Sequence, residues 1–328
     1  MDAPWTMLHG GALGDLVLAL HLALRLTAGR RPTLTVLSRT DPGDLSACTP
    51  RIRRISSETA GVHWLFGGDG PPPARLAEVI AGRRILSFLG HPGLDAHTRL
   101  RSLRPAALWA VDPRPEPGST RHIVAQWTAQ LEAQRLLVPK CVHHRPDELG
   151  LAVPMTWRGG GSAAAGRGAS SGGDASRPVV LLHPGSGGRA KCWPLAAFRA
   201  VARRLRAGEL GSETEPVFVL GPVELERWPA AEIALLRGEF PVLEPEPGDL
   251  PRHIAAAAAY VGNDAGPTHL AALLGTPTVA LFGPTAAAVW RPRGPRVAVL
   301  AGDETDVAWG LTSDAVLEAL RTLLTATG

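Results

Sequence analysis

Short apolar runs alternate with longer amphipathic stretches through both halves of the chain, and glycine or proline punctuates the joints. Trp5 to Leu8 reads as a strand, followed by a glycine loop, a helix from about Asp15 and a second strand from Thr33 to Leu37. Further runs such as Ile85 to Leu89 carry the rhythm on to a helix over about Thr120 to Leu137. The second half repeats the pattern. Strand Val179 to Leu182 leads to helix Leu195 to Arg206, then strand Val217 to Leu220, a helix from about Asp249, a short strand at Tyr260 and Val261, and strand Thr278 to Phe282. The segment Ser313 to Leu324 carries Val316, Leu317, Leu320, Leu323 and Leu324 at helical spacing. Strand and helix alternating in this way predict an α/β fold built in two units.

Length agrees with two units, because 328 residues exceed one ordinary domain. Between Arg158 and Arg177, 16 of 20 residues are Gly, Ala or Ser, a composition that buries too little apolar surface to offset its ordering entropy. The expected division is a first domain over residues 1–157, a linker over 158–177, a second domain over 178–311, and a C-terminal helix over 312–328 packing back toward the first domain. The apolar stretch Leu16 to Leu26 is broken by His21 and Arg25 and is too short to span a bilayer. Asp15 stands at its start and no Lys or Arg precedes it, unlike a secretory signal, so a cytoplasmic location is expected. Cys48, Cys141 and Cys192 show no spacing of a zinc site or disulfide framework.

Charge changes the picture only slightly. The net charge of +4 is uneven: residues 1–157 hold 18 Lys and Arg against 13 Asp and Glu, while residues 158–328 hold 16 against 17. A basic first half suits a phosphorylated acceptor or the anionic inner membrane surface, and a solvated face is the plainer reading. Nucleic acid is not expected as a partner, because the basic residues form no recognisable motif and are not interleaved with aromatics.

Three segments carry candidate chemistry. In HPGSGGRAKCWP a buried strand ends at His183 and gives way to Gly185, Ser186, Gly187 and Gly188 before Pro194 opens a helix. Such a turn lets consecutive backbone amides face one anion, as a diphosphate cradle requires. Lys191 is one of only two lysines in the chain, and a compact point charge fits a phosphate oxygen. In GNDAGPTHLAALL, Asp264 reads as a helix N-cap, with Ala265 and Gly266 presenting free amides at the positive end of the helix. Capping alone is a sufficient role for Asp264, and His269 reads equally as a core histidine or a ligand contact. In HGGALGD, Gly10, Gly11 and Gly14 make a turn and Asp15 lies at the helix start, as a cap or as a general base facing the cleft. The G-G-x-x-G spacing, with Ser38 and Arg39 where an acidic residue would close the second strand, argues against a nicotinamide cofactor.

Taken in order, GALGDLVLALHLALRL, HIVAQWTAQLEAQRLL, HPGSGGRAKCWP, LGPVELE and GNDAGPTHLAALLGTPTVALFGPT resemble the signatures of glycosyltransferase family nine, the lipopolysaccharide heptosyltransferases. The resemblance implies a GT-B fold, two Rossmann-like β/α/β domains facing a central cleft. It implies Asp15 as catalytic base, and Ser186, Gly187, Gly188 and Lys191 as the grip on the donor diphosphate, with Lys191 also stabilising the leaving group. Glu224 would take the nucleotide ribose, and Asp264, Ala265, Gly266 and His269 would complete the donor pocket, while Gly11, Gly14 and His122 would lie toward the acceptor. The reaction implied is an inverting transfer, without metal or other cofactor, of heptose from ADP-heptose to a lipopolysaccharide-core or related glycan. The absence of any Asp-x-Asp motif agrees with that. The small residues after Gly185, and Ala286 to Ala288 where the family often has Asp-Pro, depart from the pattern and bear on donor selectivity. A nucleotide-sugar epimerase of the same architecture and a non-catalytic nucleotide-sugar-binding protein are the alternatives.

Overall fold

A computed structural model describes residues 3–27, 33–43, 45, 52–139, 177–211, 213–246, 248–303 and 305–325. The chain runs β1 (Trp5–His9), α1 (Leu13–Thr27), β2 (Leu34–Ser38), β3 (Ile52–Ser56), α2 (Ala74–Ile80), β4 (Arg84–Phe88), α3 (Asp95–Ser102), β5 (Ala107–Ala110) and α4 (Ile123–Ala133). It continues with β6 (Val179–His183), α5 (Leu195–Arg206), β7 (Glu215–Val219), α6 (Pro222–Arg227), α7 (Ala230–Glu239), β8 (Val242–Leu243), α8 (Leu250–Ala256), β9 (Ala259–Asn263), α9 (Gly266–Leu274), β10 (Thr278–Phe282), α10 (Ala287–Trp290), β11 (Val297–Ala301) and α11 (Ser313–Thr325).

Two parallel sheets result, with strand orders β3-β2-β1-β4-β5 and β11-β10-β9-β6-β7-β8. Strands β1, β2, β6, β9 and β10 are buried at every residue, which is why they read as unbroken apolar runs: helices cover both faces of a parallel sheet. In each sheet the strand order reverses beside the first strand, between β1 and β4 and between β6 and β9. Loops leaving the carboxyl ends of those strands are where doubly wound folds bind ligands. Here they are the HGG turn after β1, the HPGS turn after β6 and Asp264 after β9.

Helices α1 and α9 join the two halves. Ten of the 15 residues of α1 are buried, because its own sheet lies on one side and α9 on the other. One apolar cluster therefore runs unbroken from Met7 and Val36 through Leu16, Leu20, Leu270 and Leu274 to Tyr260 and Leu181. The helices approach closely at their N-termini, where a Cβ added to Gly266 would lie 2.5 Å from the Cβ of Leu13.

The expected C-terminal helix is present, but among the described residues it packs on its own sheet instead of back toward the first half. Its face of Val316, Leu317 and Leu320 is buried on α5, β10 and β11 of its own sheet, since that edge of the sheet has an open apolar face to cover. Except for Arg177, the expected linker lies outside the described residues, as do Cys48 and Cys141. Among the described residues no helix is long and apolar enough to cross a membrane.

The close approach at Gly266 has a measurable consequence. Gly266→Ala is expected to destabilise the protein by about 1–3 kcal/mol through overpacking. Gly238→Ala, in α7 where an added methyl meets nothing within 4 Å, should instead stabilise it by roughly 0.5–1 kcal/mol. Urea unfolding of both variants checks the contrast, and equal effects would mean that the helix contact is not tight.

Candidate active site

The turn after β6 is built against β9. Asn263, fully buried at the end of β9, donates from Nδ2 to the carbonyls of Pro184 (2.8 Å) and Gly185 (3.3 Å), and its Oδ1 accepts the N–H of Trp193 (3.0 Å). Ser186 Oγ donates to the Asp264 carbonyl at 2.8 Å. A single 3-10 turn, Arg189–Lys191, then carries Lys191 to Asp264, with Nζ 3.0 Å from Oδ2. His269, one turn into α9, places Nε2 3.6 Å from the other carboxylate oxygen. Burial alone would push the Asp264 carboxyl up, but His269 and the Lys191 ammonium outweigh it and hold the group below its ordinary range, ionised.

Asp15 reaches the same place from the other half. It sits in the first turn of α1, where its carboxylate accepts the N–H of Ala12. Gly14 lets α1 lie against the His269 ring, since a Cβ there would be 3.2 Å from Cδ2. Burial pushes the Asp15 carboxyl above the ordinary carboxylate range; His269, the Ala12 amide and Lys191 oppose the shift, and the charge on Asp264 adds to it. A carboxylate of raised proton affinity thus lies within electrostatic reach of the Lys191–Asp264 ion pair. That is a suitable pairing of general base with anion site.

A cleft of about 350 Å³ opens beside this cluster, walled by Leu13 and Thr40 from the first half and by Ser186, Gly187, Glu224 and Gly266 from the second. Glu224 is buried there, accepting the Gly221 N–H at 2.8 Å and lying 3.7 Å from His183 Nε2. Burial would raise its carboxyl, yet His183 and the Gly221 amide hold it below the usual range. A side chain at Gly185 would put a Cβ 1.9 Å from Glu224 Oε1, so only glycine leaves room for this carboxylate. An ionised, buried acceptor at a cleft wall is suited to taking hydroxyl donors.

A family model described as glycosyltransferase family 9 (heptosyltransferase) matches residues 97–308. The chain belongs to glycosyltransferase family 9. Lipopolysaccharide heptosyltransferase 3 of Escherichia coli is 34% identical over 122 residues, an alignment that spans 34% of this chain and only 33% of that relative's own length. Among solved structures, E. coli ADP-heptose lipopolysaccharide heptosyltransferase II superposes with a TM-score of 0.60 at 20% identity, covering 98% of each chain. E. coli heptosyltransferase WaaC with ADP gives a TM-score of 0.63 at 16% identity, covering 98% of this chain and 99% of that one. The fold is the GT-B arrangement expected for family 9, two Rossmann-like domains facing a cleft.

Of the site residues the resemblance to family 9 implied, Asp15, Gly14, Lys191, Asp264 and His269 meet in one cluster, and Ser186, Gly187, Glu224, Ala265 and Gly266 line the adjoining cleft. Gly188 opens the turn that carries Lys191, its carbonyl accepting the Lys191 N–H at 3.0 Å. Two readings are corrected. Asp264 is not the N-cap of α9; that position is Ala265, and the carboxylate is committed to Lys191 and His269 instead. His122 does not face an acceptor: Nδ1 accepts the Val124 N–H as the cap of α4, and Nε2 bonds the Arg291 carbonyl across the halves at 2.8 Å. Burial lowers its pKa to about 4, so the ring is neutral and engaged at both nitrogens. Gly11 donates its N–H to His9 Nδ1 at 3.2 Å, and the structure leaves its expected place toward the acceptor untouched. Asn263, His183 and Thr40, which donates to the Gly11 carbonyl at 2.8 Å, were missed. The one available signal was their position at the carboxyl end of a strand. Among the described residues no group of three or more His, Cys, Asp or Glu side chains is placed to hold a metal ion.

The raised Asp15 carboxyl sets a pH test. Because the folded protein holds this proton more tightly than the unfolded chain, the ionised form costs stability as pH rises through the folded pKa. Asp15→Asn should therefore be more stable than the wild type at neutral pH. The gain should fade as pH drops below the ordinary carboxylate range. Thermal unfolding over a pH series measures it, and a pH-independent difference would refute the electrostatic cause.

Proposed function

We propose that this protein is an inverting glycosyltransferase that moves heptose from ADP-heptose onto a lipopolysaccharide-core or related glycan acceptor. The observation that carries the reading is the meeting of Asp15, from the first half, with the Lys191–Asp264 pair of the second, at the carboxyl ends of both first strands. Asp15 takes the proton of an acceptor hydroxyl as the new bond forms at the anomeric carbon and the bond to the donor phosphate breaks. Negative charge then grows on the departing nucleoside diphosphate. Lys191 and the amides of the glycine turn and of the α9 N-terminus meet it, each preorganised donor contributing roughly 3 kcal/mol. Glu224 takes the ribose hydroxyls. The chemistry assigned to these groups needs no metal, so turnover should persist in excess EDTA.

Family membership supports transfer chemistry, and the solved structures named for ADP-heptose and ADP support the donor. The basic surplus of residues 1–157 supports an anionic acceptor presented at a cytoplasmic membrane surface. Acceptor-dependent release of nucleoside diphosphate separates this activity from epimerisation and from mere binding.

In a thermal-shift panel of nucleotide sugars and free nucleotides, ADP-linked ligands should stabilise most, by roughly 2.7 kcal/mol at 100 times their dissociation constant. Preference for UDP or GDP compounds would overturn the donor assignment. Asp15→Ala should lower turnover by a factor of about 100 or more with ADP affinity nearly intact. Lys191→Ala should weaken ADP binding and turnover together. Wild-type turnover in the first variant, or wild-type ADP affinity in the second, would sink the corresponding role.

A further inference from the structure

Lys191 stands on three residues of 3-10 turn, and its side chain is 43% exposed, so the turn alone does not fix where the ammonium sits. The segment just beyond it is firmly anchored. Trp193, 1% exposed, is held at both ends: its backbone N–H bonds Asn263 Oδ1 at 3.0 Å, and its Nε1–H bonds the Ala308 carbonyl at 3.0 Å. Its ring packs edge-on against Phe198, with centroids 5.3 Å apart. The same Asn263 amide holds the carbonyls of Pro184 and Gly185, so one side chain measures the separation between the glycine turn and the arm bearing Lys191.

The far anchor is itself strongly constrained. Ala308 and Trp309 both adopt left-handed backbone, with φ of 51° and 58°, a conformation that residues with side chains rarely hold. Two glycines make room for it. A Cβ at Gly283 would lie 2.2 Å from the Trp309 ring, and one at Gly302 would lie 1.9 Å from the Trp309 carbonyl. The Asp303 N–H bonds that carbonyl at 3.1 Å, and the Trp309 N–H bonds the Asp306 carbonyl at 3.0 Å. The strained turn thereby presents the Ala308 carbonyl to Trp193.

We propose that Asn263 and Trp193 are positioning residues that hold Lys191 at the distance from the glycine turn that a diphosphate requires. The proposal rests on the donor-site reading above. Neither residue is assigned contact with substrate; both act through Lys191.

The test compares ADP with AMP by calorimetry in Asn263→Asp and Trp193→Phe. The aspartate keeps an oxygen for the Trp193 N–H but sets a second oxygen against two carbonyls, and the phenylalanine keeps the ring but loses the bond to Ala308. In Asn263→Asp, ADP affinity should fall roughly tenfold or more while AMP affinity changes far less, because the second phosphate loses its aligned cation. Adding Lys191→Ala to that variant should cost little further, a coupling that independent effects do not give. Equal losses for ADP and AMP, or full additivity with Lys191→Ala, would assign the network to the fold alone and overturn the proposal. Should Asn263→Asp fail to fold, Trp193→Phe carries the same comparison with the same two outcomes. If the wild type binds none of ADP, GDP, UDP and CDP, the donor reading fails and takes this inference with it. If it binds ADP and both variants match it, only the inference fails.

Discussion

The packing of α1 against α9 is the constraint on which the rest of the site depends. Asp15 belongs to one half and the Lys191–Asp264 pair to the other, so their registry is only as good as the contact between those two helices. Gly266 against Leu13 and Gly14 against His269 bring the helix N-termini close enough for Asp15 to feel the Lys191–Asp264 pair and the His269 ring. Larger side chains at either glycine would separate the helices and weaken this electrostatic coupling, whatever the intrinsic chemistry of Asp15.

Within that frame, two carboxylates that share the same charged neighbours are driven in opposite directions. At Asp15 burial prevails and the proton is held more tightly; at Asp264 burial is as strongly felt, but His269 and Lys191 together outweigh it and the proton is released. Divergent environments of this kind separate a proton acceptor from a structural anion. Glu224 repeats the second case with His183 and the Gly221 amide as its partners, and the absence of a side chain at Gly185 is the steric condition for it. The cleft is therefore ordered by charge as well as by shape.

Much of this is legible in the amino-acid sequence because it depends on local pattern. The sequence pattern places the boundaries of α5 and β10 to the residue, since a helical stripe and a buried strand each leave a clear periodicity. Strand β3 leaves no such trace, because its IRRIS sequence places two arginines on an edge strand that is only partly buried. Asp15 and Lys191 stand out through the glycine turns and the rarity of lysine. For Asp264 the sequence points to the right position and the wrong role, because capping is a local property while its partners Lys191 and His269 are set by the fold. Asn263 escapes notice for the same reason, since an Asn beside Gly and Asp reads as a turn residue until three backbone partners are seen around it. The neighbours of His122 and α11 differ from expectation because neither helix amphipathicity nor motif order says which surface a face will meet.

The apolar seam along α1 and α9 also gives the protein a thermal character. Hydrophobic burial is driven mainly by solvent entropy near room temperature and weakens on cooling. A junction whose core is the apolar contact of Leu16, Leu20, Leu270 and Leu274 is thus tightest in the warm and loosens in the cold. The two halves of the candidate site are clamped together by a force that strengthens as the solution is warmed from near freezing.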